Sequence, residues 1–326
     1  MPVDNRDLDQ LRMMTKVSHL YHSKGQVQTE IARSLGISQA RVSRLLSAAV
    51  EAGIVRTVVV TPAGLNAELE DQVESAFGLR EVHVVDAAGE SEVQRTETLG
   101  RALASVFRSY PIDGKTIGFT SWSRSMRRFV DNLPRFSHGK AKQVVEMLGG
   151  VGQPTIQHQA TTATERFAKL TDAEPIFLRV PGVTPSVEVR DALLEADPFA
   201  RRALEALDEL DIALVGIGNA TVVEPLVAGD NFFSEEEFEA AREAGAVGEI
   251  NLRFMDEQGR ALESELDPQV VGVTLEQLRR ADQRIAVSGG ESKHRALLAA
   301  VRGGWINVLV TDQESAQYLL DHGPRG

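Results

Sequence analysis

The sequence predicts an α/β protein made of a small helical head and a large, doubly wound, mostly parallel sheet. From about residue 65 onward, short apolar segments alternate with helical patterns, which is typical of a parallel sheet covered on both faces. Before residue 52, apolar residues recur only at helical spacing. Charge divides at the same place: residues 1–61 carry eight basic and five acidic side chains, although the 326-residue chain has a net charge of −12. We predict two domains, 1–61 and 62–326.

Composition excludes several classes of protein and site. The chain has no cysteine, which excludes disulfides, thiolate nucleophiles and cysteine-ligated zinc. It has no run of about 18 apolar residues, so we expect no membrane span. The first residues lack the basic start and apolar run of a signal peptide. We therefore expect a cytoplasmic protein that does not contact membranes.

The head is predicted to hold three helices and a strand. The helices run over 8–23, 28–35 and 38–52, with Gly25 and Gly53 ending the first and the third. Gly36 permits a left-handed turn between the second and third helices, and Ser38 caps the third. The β-branched stretch 54–60 predicts a strand that would serve as a wing, and residues 61–64 (Thr-Pro-Ala-Gly) mark the domain boundary.

Residues 28–46 match a helix-turn-helix position by position. Ile31 and Leu35 form an inner face, Ala32 lets the next helix cross closely, and Val42 and Leu45 face the core together with Leu46. The outer face carries short hydrogen-bonding groups and guanidinium forks, which suit base edges and phosphates in a major groove. The alternative is a helical hairpin whose arginines are merely solvated, but agreement over about 20 residues favours DNA binding. The candidate DNA-contacting residues are Gln28, Thr29, Ser38, Gln39, Ala40, Arg41, Ser43 and Arg44.

In the body, strands are predicted at 81–85, 116–119, 143–148, 176–180, 212–217, 250–254, 284–287 and 308–310. Helices are predicted at 65–77, 90–110, 191–207, 235–244, 293–301 and 312–320. Several strands end in glycines, at 149–150, 216–218 and 289–290. In doubly wound sheets, ligands bind at the carboxyl ends of the strands. The body is therefore predicted to hold a small molecule at that edge.

Two segments at this edge have the chemistry of an anion site. Residues 120–125 form a strand-to-helix loop with hydroxyl groups and Arg124, which could hold a phosphate at the helix N-terminus. The alternative is a polar helix cap with a packed Trp122. Lys293 lies in the first turn of a predicted helix, where it opposes the helix dipole unless an anion lies beside it. The alternative is a solvated surface lysine.

Other glycines and acids complete the candidate effector site. Asp256 could bind sugar hydroxyls, or it could simply form a turn. The segment 216–219 lacks the third glycine of a dinucleotide fingerprint, so no such cofactor is expected. The candidate effector-binding residues are Thr120, Ser121, Trp122, Ser123, Arg124, Ser125, Gly149, Gly150, Gly216, Gly218, Asn219, Asp256 and Lys293.

These segments together resemble the SorC family of bacterial sugar-responsive transcription regulators. The head resembles that family's helix-turn-helix, and the body resembles its effector domain at 114–118, 148–152, 181–183, 211–219, 245–250, 271–272, 284–293 and 303–320. The resemblance covers about residues 8–321. It implies a body like sugar-phosphate isomerases and deaminases, a homodimer or homotetramer, and a phosphorylated sugar as effector. It also implies that the loop 120–125, Asp256 and Lys293 match effector-contacting positions.

One position departs from the family pattern. The family loop usually has glycine after the tryptophan, whereas Ser123 stands there in this chain and the loop is one residue longer. A serine in place of the glycine, in a longer loop, is expected to change the geometry with which this loop would hold a phosphate. The ligand class therefore stays open between a phosphorylated sugar or polyol and its unphosphorylated counterpart.

Two other functions compete with a regulator. A sugar-phosphate isomerase or deaminase would need a positioned acid and base. The histidines of the body (His83, His138, His158, His294 and His322) do not fall in any Asp-His or Glu-His cluster at predicted strand ends. An architectural DNA binder would not need a large acidic body. We therefore predict no catalytic residue, metal or cofactor, and a regulator whose affinity for double-stranded operator DNA changes when a sugar-phosphate effector binds.

Overall fold

A computed structural model of the chain describes residues 5–55, 66–136, 139–222, 226 and 231–323. It divides into two compact units, residues 1–61 and 62–326. Within the described ranges, none of the helices combines the length and the apolar character that a membrane crossing requires. The predicted boundary segment 61–64 lies outside the described residues.

The first unit contains three helices around a small core. They are α1 (Asn5–Ser18), which continues as a π-helical turn (His19–Ser23), α2 (Gln28–Leu35) and α3 (Gln39–Glu51). Ile31 and Val42 are fully buried between them, together with Val17. These bounds confirm the three predicted helices. The predicted wing strand is not seen where it can be checked: residues 54–55 form a bend, and 56–60 lie outside the described residues.

The second unit is built on a seven-stranded parallel sheet. Its strands are β1 (Glu81–Val85), β2 (Thr116–Phe119), β3 (Gln143–Glu146), β4 (Glu174–Ile176), β5 (Ile212–Gly216), β8 (Gln283–Val287) and β9 (Val308–Asp312). They lie in the order β1-β9-β8-β5-β2-β3-β4. Successive residues of β5 face opposite cores: Ile212 and Leu214 join one cluster, Ala213 and Val215 the other. The sheet is therefore buried on both faces, as predicted for a doubly wound protein.

Helices cover both faces of this sheet. They are α4 (Ala67–Phe77), α5 (Glu92–Phe107), α6 (Arg124–Asn132), α7 (Pro154–Leu170), α8 (Val187–Ala196), α9 (Pro198–Ala206), α10 (Glu235–Glu243), α11 (Leu275–Arg280), α12 (His294–Arg302) and α13 (Gln313–His322). A third apolar cluster, which includes Phe233, Phe238 and Phe254, packs beside these layers and contacts Trp122.

The predicted strand 250–254 is wrong. This stretch belongs to an antiparallel hairpin, β6 (Gly248–Ile250) and β7 (Arg253–Met255). Asn251 and Leu252 join the two strands with φ values of 51° and 63°. Two successive left-handed residues are the geometry of a type I′ turn, which usually takes glycine or asparagine. Because Leu252 is apolar, the turn has no clear signal in the sequence.

Three further predictions need correction. The helix predicted at 191–207 is two helices, because Asp197 accepts hydrogen bonds from the amides of Phe199 and Ala200 and so starts α9 afresh. The strand predicted at 176–180 ends at residue 176, and the amide of Leu178 donates to Glu146 instead of to a neighbouring strand. Lys293 lies in a short 3₁₀ turn directly before α12 rather than in its first turn.

The strand order creates a crevice between β2 and β5. From β2 the chain proceeds to β3 and β4 on one side, whereas from β5 it proceeds to β8 and β9 on the other. The carboxyl ends of β2 and β5 therefore flank the topological switch point, where open α/β sheets bind ligands. The loops that follow these strands contain Thr120–Ser123 and Ile217–Asn219.

Candidate functional site

The turn-linked helices of the first unit present a polar face. Gly36 has a φ of 64° and ends α2, and the Ser38 hydroxyl accepts a hydrogen bond of 3.2 Å from the Arg41 amide at the start of α3. The predicted DNA-contacting residues Ser38, Gln39, Ala40, Arg41, Ser43 and Arg44 are all exposed, as is Thr29, while Gln28 is half-buried. The first turns of α3 therefore carry a set of exposed polar side chains.

The loop after β2 is hydrogen-bonded to the hairpin turn at its first residue, whereas the serine at its last residue makes no capping hydrogen bond. Thr120 is buried, and its hydroxyl donates a 3.1 Å hydrogen bond to the side-chain oxygen of Asn251 in the hairpin turn. Ser123 is the N-cap of α6, but its hydroxyl makes no capping hydrogen bond. Ser125 is half-buried in the first turn of α6, and Arg124 is exposed and paired with Glu92. The hydroxyl of Ser123 is thus not engaged in capping α6.

Lys293 lies near two residues from other segments, Asn219 in the loop after β5 and Glu249 in β6. Its Nζ lies 3.5 Å from the Oδ1 of Asn219. Burial lowers the pKa of Lys293, and the negative charge of Glu249 opposes that shift. Burial also raises the pKa of Glu249, while the Leu252 amide and the charge of Lys293 lower it. A half-buried amine and a buried carboxyl thus lie in the same part of the site.

Glycine is needed at position 218 because of this carboxyl. A Cβ atom at Gly218 would overlap the Glu249 side chain, since the two residues exchange backbone hydrogen bonds of 2.9 Å. Gly216 is more permissive, because its added Cβ would lie 3.0 Å from the Ser123 hydroxyl. Gly218 therefore has a packing role that the sequence alone did not reveal.

A cleft of about 590 Å³ opens at the ends of β2 and β3. Ser121, Trp122, Gly149 and Gly150 line it, so four of the predicted effector residues are brought together. Its charged lining residues are Glu146, Glu165 and Arg179. A volume of this size is ordinary for a small-molecule site.

Glu146 was missed by the sequence analysis and is the most buried charged residue of the cleft, with 6% of its surface exposed. Its carboxylate accepts hydrogen bonds from the Thr164 hydroxyl at 2.9 Å and the Leu178 amide at 3.1 Å. Burial nevertheless raises its pKa, since desolvation outweighs these bonds. The available signal was a lone acid within the apolar run 143–148. Glu249, between glycine and isoleucine, gave a weaker signal of the same kind.

The Asp256 side chain stabilises the turn in which it lies. Its carboxylate accepts hydrogen bonds from the amides of Gln258 and Arg260 and from the Arg260 side chain, at 2.8 to 3.0 Å. Burial is the largest single influence on the pKa of Asp256 and raises it. The hydrogen bonds from Arg260 and Gln258, together with the charge of Arg260, outweigh burial, so the pKa lies below its usual value. Its geometry matches the turn-forming interpretation that the sequence left open.

No metal centre was predicted. Among the described residues, His, Asp and Glu side chains form no group of three or more that could hold a metal ion. His138 lies outside those residues.

Known proteins resemble this chain over nearly its whole length. Residues 61–321 match the family described as "Putative sugar-binding domain". The sorbitol operon regulator of Klebsiella pneumoniae is 31% identical over 96% of this chain and 98% of its own length. The deoxyribonucleoside regulator of Bacillus subtilis is 30% identical over 97% and 99%. The crystal structure of the full-length K. pneumoniae sorbitol operon regulator SorC superposes with a TM-score of 0.72, at 28% identity over 98% of this chain and 100% of that one.

The chain belongs to the SorC family of transcriptional regulators. The resemblance drawn from the sequence is confirmed, and so is the predicted mixed α/β fold with a mostly parallel central sheet. The relatives are transcriptional regulators with a sugar-binding domain rather than enzymes, and the same holds for this member of the family.

Proposed function

We propose that this regulator binds operator DNA through α2 and α3 and releases or retains it according to a small effector bound at the carboxyl edge of the sheet. The exposed polar face at the start of α3 is the observation that carries the DNA part of this proposal. Arg41 and Arg44 supply charge and hydrogen-bond donors, while Ser38, Gln39 and Ser43 supply short polar groups. A regulator of this kind acts in the cytoplasm, where the bacterial chromosome lies.

The relatives' names point to sorbitol, a sugar alcohol, and to deoxyribonucleosides, and the effector of this chain is a small molecule with a sugar or polyol part. Our first candidate is a phosphorylated sugar or polyol. Its support is the combination of Arg124, the unused Ser123 hydroxyl and the half-buried Lys293 around the switch point. A strongly acidic body repels anions unless local groups of this kind override its field.

An unphosphorylated sugar or polyol is the second candidate, and one observation favours it. The charged residues that line the 590 Å³ cleft are two carboxylates, Glu146 and Glu165, and one guanidinium, Arg179. Carboxylates accept hydrogen bonds from sugar hydroxyls but repel phosphate. A phosphorylated effector would therefore depend mainly on Lys293, whereas an unphosphorylated one would depend mainly on the carboxylates of the cleft.

The effector acts by shifting an equilibrium between arrangements of a homodimer or homotetramer. Two heads related by symmetry would read two half-sites about one helical turn apart. An effector that binds one arrangement better than the other changes DNA affinity by its difference in binding free energy.

The proposal is tested by fluorescence anisotropy with DNA from upstream of the chain's own gene cluster. Saturable binding that weakens steeply with salt is expected. Addition of paired sugars and sugar phosphates should then change the affinity for one ligand class. DNA binding that no carbohydrate alters would refute the effector part, and absence of sequence-specific binding would refute the DNA part.

A further inference from the structure

A groove between α5, α6 and α7 concentrates positive charge on an acidic body. Its volume is about 500 Å³, and four arginines line it: Arg124, Arg127 and Arg128 from α6 and Arg166 from α7. Asp131 is the one carboxylate among the lining residues. We call this the arginine groove.

Arg127 is the least compensated of these arginines. Its Nη1 donates a 2.6 Å hydrogen bond to the backbone oxygen of Trp122. Among the described residues, no carboxylate lies within ion-pair distance of its guanidinium, whereas each of the other three lining arginines has one. Burial, together with the like charges of Arg124 and Arg128, lowers the pKa of Arg127. The remaining N–H groups of Arg127 are therefore free to bind an anion.

The carboxylates near the groove balance its charge only in part. Asp131 is shared between Arg166, at 2.8 Å, and Arg128, at 3.3 Å. Arg128 also approaches Glu97 at 3.3 Å, and Arg124 pairs with Glu92 at the exposed rim. The arginine of each pair is at least half-exposed and its acidic partner at least one-third exposed, so each pair is weak. An incoming phosphate can compete for these guanidinium groups at small cost.

The size and the lining of the groove suit a small anionic ligand. Pockets of 300 to 1,000 Å³ are usual for small ligands, which compares with about 500 Å³ here. Guanidinium forks match the oxygens of a phosphate group in bidentate geometry. We propose that the arginine groove is a second anion site, centred on Arg127 and Arg166, that takes inorganic phosphate or a phosphorylated metabolite and modulates the cleft through Trp122. Arg124 lies at the rim between this site and the carboxyl edge.

The link between the two sites has two parts. Arg127 contacts the backbone of Trp122, and Trp122 also lines the cleft. In addition, His158 and Thr162 of α7 line both the groove and the cleft. An anion that draws Arg127 into the groove changes the position of the Trp122 backbone, and by linkage a cleft ligand changes anion affinity equally. This coupling rests on the proposed function of the cleft, whereas the anion site does not.

The anion site is tested by calorimetric titration of the full chain with sodium phosphate at constant ionic strength. We expect saturable binding that weakens by about tenfold or more in Arg127→Gln and in Arg166→Gln, since each loses a charge-assisted contact. Arg166 is half-exposed, so its variant should fold normally. Arg202→Gln is the matched control, because Arg202 forms a similarly exposed ion pair with Glu174 elsewhere. It should keep phosphate affinity within about twofold.

Lys293→Ala separates the groove from the carboxyl edge. Phosphate binding that persists in Lys293→Ala but is lost in Arg166→Gln supports the groove. Binding that survives both arginine substitutions and disappears in Lys293→Ala overturns the groove while supporting a phosphate at the carboxyl edge. Absence of saturable binding by the wild-type chain overturns the groove as well.

The coupling has its own readout, tryptophan fluorescence. Phosphate should change the emission at the same concentrations that produce heat, and Trp122→Phe should remove the optical change while keeping the heat. The remaining tryptophan, Trp305, is buried against Gly259 and does not line the groove. Heat without any change in emission would overturn the coupling through Trp122.

Discussion

The Nζ of Lys293 lies 3.5 Å from the Oδ1 of Asn219, which joins the loop after β8 to the loop after β5. The two residues are brought together because β5 and β8 are neighbours in the parallel sheet. Glu249, from the hairpin, adds a buried carboxyl to the same place. Three separate segments of the sequence thus converge at the carboxyl edge, where we place the control of DNA binding.

Loss of one arginine from α3 should weaken DNA binding. Arg41→Ala or Arg44→Ala is expected to cost about 1–3 kcal/mol of operator affinity if the side chain contacts a base. Titration by anisotropy at two salt concentrations measures this. Arg101→Ala on α5 is the control, because Arg101 is also an exposed arginine but belongs to the body. Unchanged affinity in both α3 variants would rule out α3 as the recognition helix.

The charge of the effector should be visible in thermal unfolding. A ligand present at 100 times its Kd adds about 2.7 kcal/mol of stability, which raises Tm measurably. We expect a phosphorylated sugar or polyol to raise Tm while its free parent does not. The reverse result would favour the second candidate and would direct attention to Ser123. In that case Ser123→Gly should change the ligand preference.

Substitution of Gly218 should destabilise the body. Gly218→Ala places a methyl group on the buried Glu249 carboxyl, and overpacking of this kind costs about 1–3 kcal/mol. Gly216→Ala is the matched control, since its methyl group would meet only the Ser123 side chain, with Oγ at 3.0 Å and Cβ at 3.3 Å, a much milder approach than the overlap at Gly218. Urea unfolding compares the two, and equal free energies of unfolding would contradict the packing role of Gly218.

Ionisation of Glu146 should make stability depend on pH. Because burial raises its folded pKa above the unfolded value, the folded state holds this proton more tightly. Its contribution to stability is present below the unfolded pKa of about 4.5 and is lost as pH rises through the folded pKa. Glu146→Gln should therefore gain stability relative to wild type as pH rises through that window. A difference in unfolding free energy that does not change with pH would contradict this.

The sequence predicted features that depend on neighbouring residues. The turn at Gly36 and the cap at Ser38 follow from local conformational preferences, and both are present. The alternation of strands and helices likewise predicted the parallel sheet, because burial on both faces imposes continuous apolar runs. The start of α9 also has a local signal, since Asp197 followed by proline is typical of a helix start, although the sequence analysis predicts one continuous helix there.

Features that depend on distant residues were not predictable in this way. The proximity of Lys293 to Glu249 follows from strand order and the hairpin, not from any local pattern. The hairpin turn uses Leu252 at positive φ, which no residue preference signals. The arginine groove joins side chains from α6 and α7, and their separation in sequence conceals that they share one surface.

The most direct test of the account is operator binding by Lys293→Ala with and without the effector. We predict wild-type affinity for DNA in the absence of effector and no response to effector at the concentration that controls wild type, because coupling requires differential ligand binding. Lys140→Ala, an exposed lysine paired with Asp172, should respond normally. A full effector response in Lys293→Ala would contradict the placement of the control site at the carboxyl edge.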